Sequence, residues 1–241
     1  MRRMILRPRE LYRFLFKKGR GVGLVLLLWT FSSCGIDSYP VLYEPVVTSI
    51  SSTSPITFSH DSRNDPDSFL VLGYDIYYRI YNDDNLDPFS YDDQIKNDAA
   101  LELTETVIGN LLNRNWNQMK HYRRIYLSDA ELERDTPPSF PLSAATTQNF
   151  FISLYLDGTN NSYIKNDFDT SQTLYFSRYL GNDEAGAPII KDFSPISFST
   201  DDPDIFEPAS HYRVAFFALT YGLTTDTALH SSVLYIGSYR F

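Results

Sequence analysis

Two stretches of the chain alternate apolar and polar positions with a period of two. Tyr74-Asp75-Ile76-Tyr77-Tyr78-Arg79-Ile80-Tyr81 sets Ile76, Tyr78 and Ile80 on one face. Tyr212-Arg213-Val214-Ala215-Phe216-Phe217-Ala218 does the same with Val214, Phe216 and Ala218. A shared signature precedes both. Ser54-Pro55-Ile56-Thr57-Phe58-Ser59 is followed by the acidic turn Asp65-Pro66-Asp67 with Phe69. Ser194-Pro195-Ile196-Ser197-Phe198-Ser199 is followed by Asp202-Pro203-Asp204 with Phe206. Each copy reads as a short strand, a polar corner and a long strand with one buried face.

Between the copies the period changes. Ile95, Ala99, Leu103, Val107 and Leu111, with Ile108, Leu112, Trp116 and Met119, fall at helical spacing. They predict one amphipathic helix from Asp93 to about Met119, weakened at Gly109, inside an insertion of about 90–120. Ser90 and Asp93 have the spacing of a capping box. The apolar stripe packs on the sheets or, alternatively, fills a partner's groove. Further strands are expected over Tyr122–Leu127, Asn149–Leu156 and Thr173–Tyr179. Turns fall at Asp135–Ser139, Asp157–Asn161 and Gly181–Pro188. The pattern predicts an all-β domain over 46–241 with a helical insertion. Two smaller domains are the alternative, disfavoured because the repeat units sit far apart, as if closing one body.

The stretches Gly73–Tyr81 (GYDIYYRIY) and His211–Gly222 (HYRVAFFALTYG) resemble strands C and F of fibronectin type III domains, an immunoglobulin-like β-sandwich. The resemblance implies strands B–C for the first copy and E–F for the second. It also implies the E–F corner tyrosine at Tyr212 and strand G in Ser232–Phe241. Phe58 occupies the region of the usual core tryptophan. The resemblance covers about a third of the chain.

The start of the chain is of another kind. Arg2, Arg3, Arg7, Arg9, Arg13, Lys17, Lys18 and Arg20 face one acid, Glu10, and the apolar run Val22–Phe31 comes next. A basic start, a short apolar run and small residues describe a secretory signal. The run is shorter than the ~20 apolar residues a bilayer span needs. Phe31-Ser32-Ser33-Cys34 resembles the bacterial lipobox, with Phe31 where leucine is commonest and Ser33 where glycine or alanine is, as in the looser lipobox of spirochaete lipoproteins. The resemblance implies a signal peptide over 1–33, lipidation of Cys34 and a tether over 34–45. Cys34 is the only cysteine of the 241 residues, so no intramolecular disulfide is possible. The bilayer is thereby the expected partner, held through the acyl chains. Each buried methylene adds about 0.8 kcal/mol. The expected location is the cell envelope, at the outer membrane or a periplasmic face.

Charge divides at the same point. The chain carries 21 Lys+Arg and 30 Asp+Glu, net −9, and the leader holds eight of the former and one of the latter. The remainder of the chain is more acidic still, which argues against nucleic acid or an anionic membrane surface as partner.

Candidate chemistry is sparse. There is no Gly-x-Ser-x-Gly elbow, P-loop or dinucleotide fingerprint, and no cofactor is implied. His60-Asp61 has the makings of a base and its orienter, but reads as a surface loop. His121, His211 and His230 lack zinc spacing. Asp61–Asp67, Asp83-Asp84 with Asp87, and Asp201-Asp202 with Asp204 are acidic enough for calcium, but proline marks two of them as turns. Arg114 and Arg123-Arg124 read as solvated. Tyr77, Tyr81, Tyr155, Tyr175 and Tyr179 lie on expected strands, where outward tyrosines stack on sugars or anchor a protein. The expectation is a non-enzymatic binding or structural module. A carbohydrate-binding module is the alternative, and a hydrolase assembled from distant residues the rival from another class.

Overall fold

The computed structural model describes residues 41–64, 70–102, 122–127, 140–142, 150–157, 162–167, 173–194, 197–199, 202, 205, 208–224 and 227–241. The chain divides into two units, Met1–Tyr39 and Pro40–Phe241, and all described residues belong to the second. The leader, Cys34, the helical positions from Leu103 to Met119, His121 and the loop Asp135–Ser139 lie outside the described residues.

The strands are β1 (Ile56–Ser59), β2 (Leu70–Asn82), β3 (Arg123–Arg124), β4 (Phe140–Pro141), β5 (Phe151–Tyr155), β6 (Tyr163–Asn166), β7 (Leu174–Tyr175), β8 (Ser177–Asn182), β9 (Pro188–Asp192), β10 (Tyr212–Leu223), β11 (Ala228–His230) and β12 (Leu234–Arg240). Among the described residues one α-helix, α1, covers Tyr91–Glu102. The fold is thus mostly antiparallel β with little helix. A four-stranded sheet runs β1-β5-β6-β7. A six-stranded sheet runs β11-β10-β2-β3, with β12 also on β10 and β4 on β2. The β8–β9 hairpin forms a third, and the bridge Tyr126↔Ser177 connects it to the segment of β3.

The two long alternating stretches pair with each other, from Tyr212↔Asn82 to Leu223↔Leu70. Ile76, Tyr78, Ile80, Val214, Phe216 and Ala218 enter one core with Ile56, Phe58, Ile152, Leu154 and Ile164 of the four-stranded sheet. That is the expected inner face.

The opposite face is also buried. Tyr77, Tyr81, Ala215, Phe217, Leu219 and Tyr235 form a second cluster with Ile95 and Ala99 of α1. The described part of the helix therefore covers the sheet, as the first two positions of its stripe, Ile95 and Ala99, predict. Its start is set by Asp87, whose carboxylate accepts the Phe89 N–H at 3.0 Å and the Ser90 hydroxyl at 2.8 Å. The hydroxyl expected to cap the helix is thus donated backwards. Asp92 and Asp93 in the first turn complement the helix dipole.

The second copy of the repeat departs from the expected strand E. Among its described residues, Ser197 donates its N–H to the Ser194 carbonyl at 3.0 Å in a tight turn. The partner of β1 is instead β5, in the register Ile56↔Leu154 and Phe58↔Ile152. The expected strand Thr173–Tyr179 is divided between β7 and β8 around buried Phe176.

Residues 41–45, expected in the tether, are held by the domain. Leu42 is buried. Tyr43 donates its N–H to Asn64 Oδ1 at 2.7 Å, and its carbonyl accepts from Asn64 Nδ2 and Thr220 Oγ1, both at 2.8 Å. Further on, Val46 pairs with Ser59 and Ser51 with Gly237, so this arm touches both large sheets.

Candidate functional site

The sequence points to five tyrosines, and their fates diverge. Tyr77 and Tyr81 are buried beneath α1. The Tyr81 and Tyr122 hydroxyls lie 2.9 Å apart, and burial raises both phenols above their ordinary pKa. Tyr179 donates to Asn182 Oδ1 at 2.8 Å and meets Tyr126 edge-on. Tyr155 and Tyr175 face outward on the four-stranded sheet.

Those two are joined by Tyr163, which sequence reasoning missed. The ladder pairs Tyr155 with Tyr163 and Tyr163 with Tyr175, so the three form one row across β5, β6 and β7. Alternation explains the row. Ile152, Leu154 and Ile164 turn into the core, and the residues between them turn out. The Tyr155 and Tyr163 rings stack at 4.8 Å and 12°. Tyr175 meets Tyr163 edge-on at 6.0 Å and is 57% exposed. Lys165 stands on the same face, its ammonium 5.2 Å from the Tyr163 ring centre and 5.9 Å from that of Tyr155. Beside it, Thr57 and Ser153 share a hydrogen bond of 3.0 Å, and Phe151 is 46% exposed.

A concavity of about 490 Å³ opens between α1 and β12, lined by Ile50, Lys96, Ala99, Phe217, Val233 and Tyr235. Tyr235 donates to Asp92 Oδ1 at 2.6 Å, and burial holds its phenol well above the ordinary range. The lining is mainly apolar.

Three sequence readings are corrected. His60 is buried rather than on the surface, with Nδ1 2.6 Å from the Tyr74 hydroxyl and its ring stacked on Phe150 at 5.2 Å. Asp61 is buried too. It accepts the Arg63 N–H at 2.9 Å and both Nε contacts at 3.0 Å, and this pairing lowers its pKa. Arg124 is buried, 3.6 Å from buried Asp75.

The described carboxylates of the acidic loops meet cations and turn amides. Asp83 pairs with Arg213 at 2.7 Å and Arg240 at 2.6 Å. Asp84 accepts the Ser210 N–H at 3.0 Å. Asp202 pairs with Arg178 at 2.8 Å. Among the described residues no three His, Cys, Asp or Glu converge as metal ligands. Asp65, Asp67, Asp201, Asp204 and Arg114 lie outside the described residues. Among the described residues no helix is long and apolar enough to cross a membrane.

No family model, curated protein or solved structure matches the chain.

Proposed function

We propose that this chain is a lipid-anchored lipoprotein of a bacterial envelope. It is cleaved before Cys34, and its domain binds a partner without chemistry of its own. The contact surface is the tyrosine row of β5, β6 and β7. One observation carries this reading: three cross-strand tyrosines and a lysine stand on the outward side of a sheet whose inward side is core. Exposed aromatic rings on a rigid scaffold are the groups that supply binding energy at low entropy cost.

The domain is an immunoglobulin- or fibronectin-III-like sandwich in this reading. Supporting it, β2, β10 and β12 are neighbours in the order of strands C, F and G. The Tyr212 hydroxyl accepts the Ala209 N–H at 3.1 Å, the local bond of a tyrosine corner. The place of strand E beside β1 belongs to β5.

The test compares the full chain in detergent with a Y155A/Y163A/Y175A variant for capture of envelope material. Each cross-strand aromatic pair contributes only about 0.2–1 kcal/mol, so the variant stays folded. Loss of capture is expected with the melting temperature lowered by only a few degrees. Undiminished capture overturns the assignment of the surface.

A further inference from the structure

The chemistry of the row narrows the partner. Tyr155 and Tyr163 cover each other's facing rings, so they present edges and hydroxyls rather than a flat apolar platform. Tyr175 meets them edge-on and keeps open ring surface. Among the described residues, none of the three phenol oxygens is hydrogen-bonded and the Lys165 ammonium makes no ion pair. The two rings hold that ammonium over the row, in an otherwise acidic domain. Three strands span about 10 Å, the reach of a short sugar chain.

Resting on the reading of the row as the contact surface, we propose that it takes a carboxylated saccharide. The C–H face of one pyranose ring lies on Tyr175, where the electron-rich ring attracts it. The phenol hydroxyls of Tyr155 and Tyr163 exchange hydrogen bonds with sugar hydroxyls. The sugar carboxylate pairs with Lys165, a charge-assisted contact that fixes the register of the chain along the row.

The test titrates the full chain in detergent with oligogalacturonate and with its methyl ester, which keeps the sugar rings and removes the charge. The acid is expected to bind about tenfold more tightly than the ester, the worth of one hydrogen bond to a charged group. K165Q abolishes that preference, K165R restores it, and Y175A weakens both ligands alike. High salt reduces binding of the acid and leaves the ester unchanged. Equal affinity for acid and ester, or a preference that survives K165Q, overturns the proposal. So does absence of binding by either oligomer. If envelope capture still depends on the row in that last case, the contact surface stands and only the saccharide falls.

Discussion

Arg178 is the largest fully buried side chain among the described residues, and it carries a charge. Its guanidinium lies 2.8 Å from Asp202, donates to the carbonyl and hydroxyl of Ser197 at 3.0 Å each, and sits 4.5 Å from the Phe198 ring centre. Asp202 in turn accepts the Ser199 N–H at 3.0 Å. One buried ion pair thus holds the turn that the second copy of the repeat adopts. Burial dominates both partners, pushing the Asp202 carboxyl up and the Arg178 guanidinium down from their ordinary pKa values. R178M leaves the Asp202 carboxylate buried without its cation and the Ser197 carbonyl without its donor. Removing one partner of such a pair costs about 3–5 kcal/mol. For a domain of this size that lowers Tm by roughly 10 °C. R178M/D202L removes both charges, and replacing a whole buried pair by apolar groups is near neutral. Urea unfolding followed by far-UV circular dichroism measures the stability of all three proteins. A loss under about 1 kcal/mol for R178M, or a double variant as unstable as the single, contradicts the assignment of this pair as the clamp on the turn.

Three further outcomes are expected at other sites. Gly237 has φ +149°, and a Cβ there would lie 2.5 Å from the Ser51 carbonyl oxygen, so G237A is expected to cost about 2 kcal/mol. Hydrogen exchange would then show residues 46–51 losing protection, and unchanged protection contradicts the close approach. The lowered pKa of Asp61 makes its bond to Arg63 stabilising above the ordinary carboxylate pKa. That stability is lost as pH falls through the folded-state value. Arg63 is 62% exposed, so the effect stays below about 1 kcal/mol, and D61N should flatten it in acid titrations of stability. Intact mass of the native protein is expected to show residues 1–33 removed and Cys34 acylated. An unprocessed chain, or a free thiol at residue 34, rules out the anchor.

The long strands and their inner face were legible because alternation in β2 and β10 is a strong period-two signal. The start of α1 was legible for the same kind of reason, in Ile95 and Ala99. Burial of the second face was written in β10 as the unbroken apolar run Val214–Leu219, the mark of a strand covered on both sides. Reading one face alone left Tyr77 and Tyr81 as candidate outward tyrosines and Arg124 as solvated, where α1 and neighbouring strands in fact enclose them. The repeat misled because near-identical hexapeptides obey their surroundings. Ile56 and Phe58 find β5 beside them, whereas Ser197 is gripped by Arg178, a contact 19 residues away in sequence. Tyr163 was hidden for a local reason. Its strand is four residues long and comes after the turn-forming Asp157–Asn161, so no alternation could build up around it. The outward row needed the register of three strands, which no single stretch encodes.

If the tyrosine row is where the protein meets its partner, an aromatic photo-crosslinking residue placed at Tyr175 in living cells will capture that partner. Leu223, 37% exposed on the other large sheet, is the control position. A discrete adduct from position 175 and none from 223 is the predicted result. No adduct at 175, or equal labelling at both positions, would contradict it.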